Sequence, residues 1–212
     1  MIINTSYTSF IKLATSTISM TKYLLLLLTV IMVACGGPDF KNPHVLVVTN
    51  YGDIEIELYP DKAPKTVAAF LSYAESGLYK NSSFYRVMKT EGVDEISNTG
   101  FIQGGIWKTD PVKVTEIPAV PHEPTTLSGL THTDGVVSMA RTGVGTARAE
   151  FFICIGDQSP LDAGRRGSPD GQGYAAFGKV YKGMSIVRKI QAMQSTGDAF
   201  DHPVIIQDIR KR

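Results

Sequence analysis

The sequence predicts a mainly β protein built as a closed antiparallel barrel, and three observations lead to this fold class. From Val45 onward apolar residues alternate with polar residues at a period of two, as in Ile54, Ile56 and Leu58. Only two stretches show helical spacing, and strands and helices do not alternate regularly as they do in parallel sheets. Because closure of an antiparallel sheet leaves no edge exposed, many short strands favour a barrel.

A hairpin is the first predicted element of the barrel. Residues 45–49 and 54–58 flank a turn at 50–53. A helix follows, in which Pro64 suits the first turn and Gly77 the C-terminal end. Its apolar face shows helical spacing in Val67, Phe70, Leu71 and Ala74.

Five more strands and a second helix complete the predicted domain. The second helix follows Gly183, and its apolar residues are Ile186, Val187, Ile190 and Met193. The strands are predicted over residues 102–104, 135–140, 151–155, 175–180 and 204–209.

The balance of charge excludes one class of function. The 212 residues include 21 Lys and Arg and 20 Asp and Glu, so the net charge is +1. Nucleic-acid-binding proteins carry a basic excess, which is missing here. Two cysteines, Cys35 and Cys154, are too few for a disulfide-rich scaffold or a zinc site of four thiolates.

An apolar run ahead of the barrel predicts an export signal over residues 1–34. The run covers residues 24–34, which is short of the roughly 20 residues that span a bilayer, and Lys22 precedes it. Met20 is a natural start for such a signal, in which case residues 1–19 are a gene-start artefact; otherwise they form an unusually long N-terminal region of the signal.

The signal ends in Met-Val-Ala-Cys35, which resembles a bacterial lipobox. This resemblance implies that Cys35 is lipidated and anchors an exported protein to a bacterial membrane, facing the periplasm. Residues 35–43 then form the anchor and a linker, and residues 44–212 form the domain. The alternative is a buried apolar segment with an incidental cysteine.

Signatures of hydrolases, phosphate loops and dinucleotide sites are absent from the sequence. The four histidines are scattered and are interpreted as surface or loop residues. Asp162 and Asp170 flank a glycine-rich loop and are interpreted as solvated turn residues rather than calcium ligands. Cys154 lies between apolar neighbours and is expected to be a buried thiol. We therefore expect neither a metal nor a cofactor.

Eight short segments carry a family resemblance by their order. They include Phe84-Tyr-Arg-Val87, Gln103-Gly-Gly105 and Phe177-Gly-Lys-Val180, and each alone is a common pattern. Together they resemble the cyclophilins, which are peptidyl-prolyl cis-trans isomerases built on an eight-stranded barrel capped by two helices. The segments are residues 58–70, 77–79, 84–87, 103–105, 135–140, 151–154, 161–162 and 177–180.

Prolyl isomerisation suits a chain without an evident nucleophile or acid–base pair, because it breaks no covalent bond. The barrier of about 18–20 kcal/mol comes from amide resonance. In the twisted transition state the prolyl nitrogen regains its lone pair and accepts a hydrogen bond. A fixed donor and an apolar pocket for the proline ring therefore favour the twisted geometry.

The resemblance assigns these parts to particular residues. Arg86 would supply the donor, and Gln103 would hold it and contact the peptide. Ordinary core packing is the alternative interpretation of Phe101, Phe152 and Leu161. The residues implied to bind substrate are Phe84, Phe101, Ala140, Arg141, Phe152, Leu161 and Tyr174.

The chain departs from the family pattern around the same residues. Gly100 stands where one of two aromatic residues is usual, Pro160 where a tryptophan is usual, and Tyr174 where a histidine is usual. Glu150 replaces a glutamine, and the polar insert at residues 88–99 is long.

The sequence thus predicts a monomeric, cofactor-free isomerase that acts on X-Pro bonds of folding extracytoplasmic proteins. A proline-peptide-binding or chaperone module with little turnover is the second hypothesis. An anchored scaffold that holds a partner through loop 163–173 is the third.

Overall fold

Nine strands and four α-helices form the part of the chain that the structure, a computed structural model, describes, namely residues 40–90 and 98–212. The predicted export signal, Met20 and Cys35 lie outside the described residues. In chain order the elements are β1 (His44–Thr49), β2 (Gly52–Leu58), α1 (Pro64–Glu75), β3 (Ser82–Thr90), β4 (Thr99–Gly105), α2 (Pro111–Glu116), α3 (Thr125–Ser128), β5 (Val136–Met139), β6 (Phe151–Ile155), β7 (Ala175–Lys182), α4 (Met184–Gln191), β8 (Ser195–Thr196) and β9 (Ala199–Lys211).

Eight of these strands close into an antiparallel barrel, which confirms the predicted fold class. Their order is β1-β2-β7-β5-β6-β4-β3-β9, and β9 pairs with β1 to complete the ring. The two-residue strand β8 is paired with β9. No helix within residues 40–90 and 98–212 has the length and apolar character needed to cross a membrane.

The barrel is filled by the inward-facing side chains of its strands. An aromatic group lies at the centre, where the rings of Phe70, Tyr79 and Phe84 each contact Phe151 at centroid distances of 5.5, 5.7 and 5.8 Å. Phe70 comes from α1, so burial of its ring fixes this helix against the barrel. Edge-to-face packing of this kind adds to the stabilisation that area burial provides.

The two longer helices agree with the two that the spacing predicts. Pro64 occupies the first turn of α1, where a missing N–H costs nothing. Glu123 accepts hydrogen bonds from the backbone N–H groups of Lys65 (3.2 Å) and Thr66 (2.8 Å) and so satisfies two of the free donors at this end. The short helices α2 and α3 were not predicted, because six and four residues are too few to show a helical period.

The compact unit of the structure begins two residues before residue 44, where the sequence predicts the start of the domain. Residues Asn42–Arg212 form one compact unit. Asn42 donates through Nδ2 to Glu57 (2.8 Å), and the carbonyl of Pro43 accepts from the backbone N–H of Leu58 (2.9 Å). These two predicted linker residues are therefore bonded to β2.

Candidate active site

A pocket of about 590 Å³ lies on the outer face of the barrel, next to β3, β4 and β6. It contains eight of the nine residues that the resemblance implies for the site. These are Arg86, Phe101, Gln103, Ala140, Arg141, Phe152, Leu161 and Tyr174.

Phe84 is the ninth, and its predicted place in the pocket is wrong. Its side chain is fully buried in the barrel interior and packs on Phe151. A Cβ added at Gly104 would lie 2.8 Å from the Phe84 ring, so the glycine leaves room for this ring. Phe84 therefore supports the fold rather than the pocket surface.

A β-bulge places two consecutive residues of β3 in the pocket. Phe84 pairs with Gly104 and Arg86 pairs with Gln103, so Tyr85 is an extra residue in β3. The pairing with β9 shifts at the same point. Tyr85 and Arg86 both line the pocket as a result, whereas Phe84 and Val87 belong to the interior.

Arg86 is held on two sides and lies above an aromatic ring. Its Nε donates to Asp198 Oδ2 (2.7 Å), and its Nη1 donates to Gln103 Oε1 (3.0 Å). Its Cζ lies 5.4 Å from the centroid of the Phe101 ring. The Arg86 charge lowers the pKa of Asp198, mainly through their hydrogen bond. Since the guanidinium is fixed from both sides, its remaining N–H groups have a defined direction.

A chain of hydrogen bonds continues from Gln103 away from Arg86. Gln103 Nε2 donates to the Tyr85 hydroxyl (2.8 Å), which donates to Glu150 Oε2 (2.6 Å). Burial raises the pKa of Tyr85, and the nearby Glu150 charge raises it further. Burial also raises the pKa of Glu150, although its hydrogen bond from Tyr85 opposes the shift.

The base of the pocket is an apolar cluster separate from the barrel interior. It comprises Phe101, Phe152, Cys154 and Leu161, with Ala140 and Tyr174 packed against it. The Phe152 ring lies 5.3 Å from that of Phe101 and 5.4 Å from that of Tyr174. Cys154 is fully buried, as predicted, and burial raises the pKa of its thiol.

His132 supports this cluster from below. The sequence predicts a surface or loop position for His132, and the residue does lie in a loop, but it is fully buried. Its ring stacks on Phe152 at 5.9 Å, its Nδ1 bonds to Asp162 Oδ1 (2.6 Å), and its Nε2 bonds to the Ser138 hydroxyl (3.0 Å). Burial lowers its pKa more than the Asp162 bond raises it.

Arg141 attaches the glycine-rich loop to the rim of the pocket. It donates to Asp170 through Nη1 (2.7 Å) and Nη2 (2.9 Å), and to the carbonyl of Gly173 through Nε (2.8 Å). The hydrogen bonds from Arg141 to Asp170 lower the pKa of this carboxyl, and a bond from the backbone N–H of Gln172 lowers it further. Asp162 and Asp170, interpreted as solvated turn residues, thus position His132 and Arg141.

Four residues in the pocket or bonded to Arg86 were not among the predicted site residues. Tyr85 was overlooked because a bulge is invisible in a simple alternation. Glu150 was noted only as a departure from a pattern, and Asp198 comes from a hairpin remote in sequence. The fourth is Trp107, whose side chain is 48% exposed at the pocket margin.

The chemistry that this arrangement supports is binding and orientation. It combines an oriented cation, an amide and an apolar surface. The thiol of Cys154 is buried and its pKa is raised, so it is not poised to act as a nucleophile. Within residues 40–90 and 98–212 no three His, Cys, Asp or Glu side chains are grouped so that they could hold a metal.

Comparison with known proteins gives the same family in sequence and in structure. Residues 44–211 match the family model described as cyclophilin type peptidyl-prolyl cis-trans isomerase/CLD. The chain is 34% identical over 199 residues to peptidyl-prolyl cis-trans isomerase A of Dickeya dadantii, covering 89% of this chain and 96% of the relative. It is 37% identical over 164 residues to isomerase B of Escherichia coli, covering 77% and 90%.

A solved structure extends this likeness to the fold. The cyclophilin type peptidyl-prolyl cis-trans isomerase of Cryptosporidium parvum superposes with a TM-score of 0.63 at 26% identity, covering 81% of this chain and 98% of that one. A second structure of that protein, determined in the presence of the dipeptide Ala-Pro, gives a TM-score of 0.62.

Proposed function

This chain belongs to the family of cyclophilin-type peptidyl-prolyl cis-trans isomerases, and we propose that it performs this reaction at Arg86, on proline-containing segments of folding extracytoplasmic proteins. The observation that carries the assignment of the site is the position of the Arg86 guanidinium, fixed by Gln103 and Asp198 beside the apolar cluster.

The proposed mechanism follows from where hydrogen-bond donors are available. Among the described residues none accepts from Nη2 of Arg86, so this group can donate to the prolyl nitrogen as the amide twists. The planar amide offers no such acceptor, so the bond stabilises the transition state more than the ground state. Gln103 keeps the guanidinium aligned, and no proton or covalent bond is exchanged.

The proline ring is proposed to bind against Phe101, Phe152 and Leu161. These side chains are nearly fully buried and present an apolar surface to the pocket. The structure of the Cryptosporidium relative with Ala-Pro supports a site for such a dipeptide unit. Ala140 and Arg141 follow the end of β5, and backbone groups near Arg141 are proposed to pair with the extended peptide. The N–H of Ala140 itself donates to the carbonyl of Glu150 (2.8 Å).

Replacement of Arg86 tests this assignment. We expect Arg86→Ala to lower kcat/KM on a short X-Pro peptide by about a hundredfold or more, since removal of one oriented donor typically costs about 2.7–4 kcal/mol. Arg188→Ala is the matched control, because Arg188 also forms a surface ion pair, with Asp134 at 2.7 Å, but does not line the pocket. It should remain fully active.

A protease-coupled isomerisation assay and a thermal unfolding curve are sufficient measurements. Loss of activity with an unchanged unfolding midpoint supports the proposed role. Unchanged activity in folded Arg86→Ala contradicts it. If the wild-type chain binds the peptide without turning it over, the site is instead a proline-peptide-binding module.

The extracytoplasmic setting is a separate part of the proposal. It is supported by the apolar run at residues 24–34 and by the lipobox-like sequence that ends at Cys35. We propose that residues 1–34 are an export signal, and that lipidated Cys35 anchors a monomeric enzyme to a bacterial membrane, facing the periplasm. Two or more acyl chains give stable attachment, at about 0.8 kcal/mol per buried CH₂.

Fractionation of cells that express Cys35→Ser tests the anchor. We expect the variant to leave the membrane fraction after a high-salt wash, while the wild type and the control Cys154→Ala remain there. Cys154 suits the control because it is the other cysteine and lies within the barrel domain. If Cys35→Ser stays with the membrane, the proposed lipid anchor is wrong, whatever the isomerase activity.

A further inference from the structure

Four polar side chains form a line of hydrogen bonds that starts at the proposed reacting position and ends at the partly buried carboxylate of Glu150. Arg86 donates to Gln103 (3.0 Å), Gln103 donates to Tyr85 (2.8 Å), and Tyr85 donates to Glu150 (2.6 Å). Every donor in this hydrogen-bond chain points toward Glu150. The direction is fixed at its two ends, because a guanidinium has only donors and an ionised carboxylate has only acceptors.

Glu150 is held in place by backbone groups as well as by Tyr85. Its Oε1 accepts from the N–H groups of Ile106 (2.8 Å) and Trp107 (2.9 Å). A Cβ added at Gly105 would lie 2.5 Å from the Glu150 carboxyl carbon, so the glycine makes room for the carboxylate. These contacts leave Oε2 as the atom that faces Tyr85.

The two middle side chains, Gln103 and Tyr85, in contrast, do not by themselves fix the direction of hydrogen-bond donation. A tyrosine hydroxyl both donates and accepts, and a glutamine amide can present either its oxygen or its NH₂ group. If the atom facing Tyr85 were a donor, the hydroxyl would turn its hydrogen toward Gln103. Gln103 would then present oxygen to Tyr85 and NH₂ to Arg86, so that two donors would oppose each other.

We propose that Glu150 is a positioning residue that sets the orientation of Tyr85 and Gln103 and thereby holds Arg86 for the reaction. This inference rests on the proposed function, since it assigns a purpose to the alignment of Arg86. Glu150 acts through the hydrogen bond that its carboxylate accepts from Tyr85, and not by touching the substrate.

A double-mutant cycle in the full chain tests the inference. Glu150→Gln keeps the shape of the side chain but places an NH₂ group toward Tyr85, and we expect kcat/KM to fall about tenfold or more, mostly through kcat. Tyr85→Phe removes the hydroxyl that transmits the reversal and should lower kcat/KM by only a few fold. In the Tyr85→Phe background, Glu150→Gln should lower kcat/KM by less than about twofold.

The pH profile provides a readout that a packing defect would not produce. Protonation of Glu150 also makes it a donor, so kcat/KM should fall as the pH falls through the Glu150 pKa, which burial raises above its ordinary value of 4.5. Glu150 interacts electrostatically with Tyr79 and Tyr85, and the other charged side chains that line the same pocket are Arg86, Arg141 and Arg148. This acid limb should be absent from Tyr85→Phe.

NMR exchange measurements on an X-Pro peptide serve at each pH, because they need no protease. Equal losses from Glu150→Gln in both backgrounds, or an acid limb that persists in Tyr85→Phe, overturn the inference. Failure of the proposed function itself is distinguishable, because in that case Arg86→Ala retains the wild-type rate.

Discussion

The two faces of β6 differ in role. The inner face belongs to the interior that stabilises the barrel, and the outer face forms part of the pocket. Phe151, Ile153 and Ile155 point into the barrel, whereas Phe152 and Cys154 belong to the outer cluster. All five residues are buried. The inner side chains are enclosed by strands and α1. The outer ones are covered by Leu161, from a short 3₁₀-helix (Ser159–Leu161), and by Tyr174, from the loop before β7.

The difference teaches why an uninterrupted apolar strand occurs in an antiparallel sheet. Such strands usually alternate, because one of their faces meets water. Here both faces are covered. The inner face is covered completely, whereas the outer face is covered only in part, which leaves a pocket of about 590 Å³. An apolar run in a strand of this kind therefore indicates a second, smaller cluster next to a binding site.

Truncation of neighbouring phenylalanines on β6 should produce the largest difference. Phe151→Ala removes a fully buried ring that contacts three other aromatic rings, and we expect a loss of about 3–5 kcal/mol in the free energy of unfolding. Phe152→Ala opens a site beside an existing pocket and should reduce stability less while raising KM. Urea unfolding and peptide kinetics measure both. Equal stability losses with an unchanged KM would show that the two faces do not differ in role.

Two glycines in the loop over the outer cluster provide a finer comparison. Gly173 and Gly171 both have positive φ, 63° and 67°, so alanine at either position should cost about 1 kcal/mol in backbone strain. A Cβ at Gly173 would also lie 2.6 Å from the carbonyl carbon of Asp162, whereas the space at Gly171 is open. We expect Gly173→Ala to lower the free energy of unfolding by about 1–3 kcal/mol more than Gly171→Ala does, and to raise KM.

Unfolding midpoints and KM values of the two glycine variants measure this difference. Identical behaviour would mean that the loop yields to the added methyl group and does not shape the pocket.

The smallest expected effect is the pH dependence of stability that His132 contributes. Because burial lowers its pKa in the folded state below the ordinary value of 6.5, the unfolded chain binds more protons as the pH falls. Its contribution is complete well above the unfolded pKa of about 6.5 and is lost as the pH falls from that value through the lower pKa of the folded state. Urea midpoints between pH 8 and pH 5 should therefore fall more steeply in the wild type than in His132→Gln. Parallel curves would contradict this assignment.

Most of the fold could be predicted because its signal is local. The alternation along β2, the apolar runs of β1 and β6 and the helical spacing in α1 and α4 depend only on nearby residues, and the structure confirms each of these elements. Strand β3 was missed as a strand because Ser82 and Ser83 are polar and the bulge at Tyr85 breaks the alternation. The short helices α2 and α3 could not be predicted, because six and four residues are too few to show a helical period.

The candidate site was predictable only in part, since its geometry depends on contacts between distant residues. Arg86 and Gln103 could be matched to a motif, and the structure brings them within 3.0 Å of each other. Asp198, 112 residues after Arg86, reaches it from the turn between β8 and β9, which no local pattern indicates. Phe84 was misplaced because its neighbour Tyr85 takes the outward position.

Trp107 gives the protein an optical property of its own. It is the one tryptophan in the sequence, and it lies half exposed at the margin of the pocket. An indole in such a position exchanges water for ligand when a peptide arrives, so its fluorescence emission shifts on binding. Occupancy of the pocket can therefore be followed by light, without a label and independently of turnover.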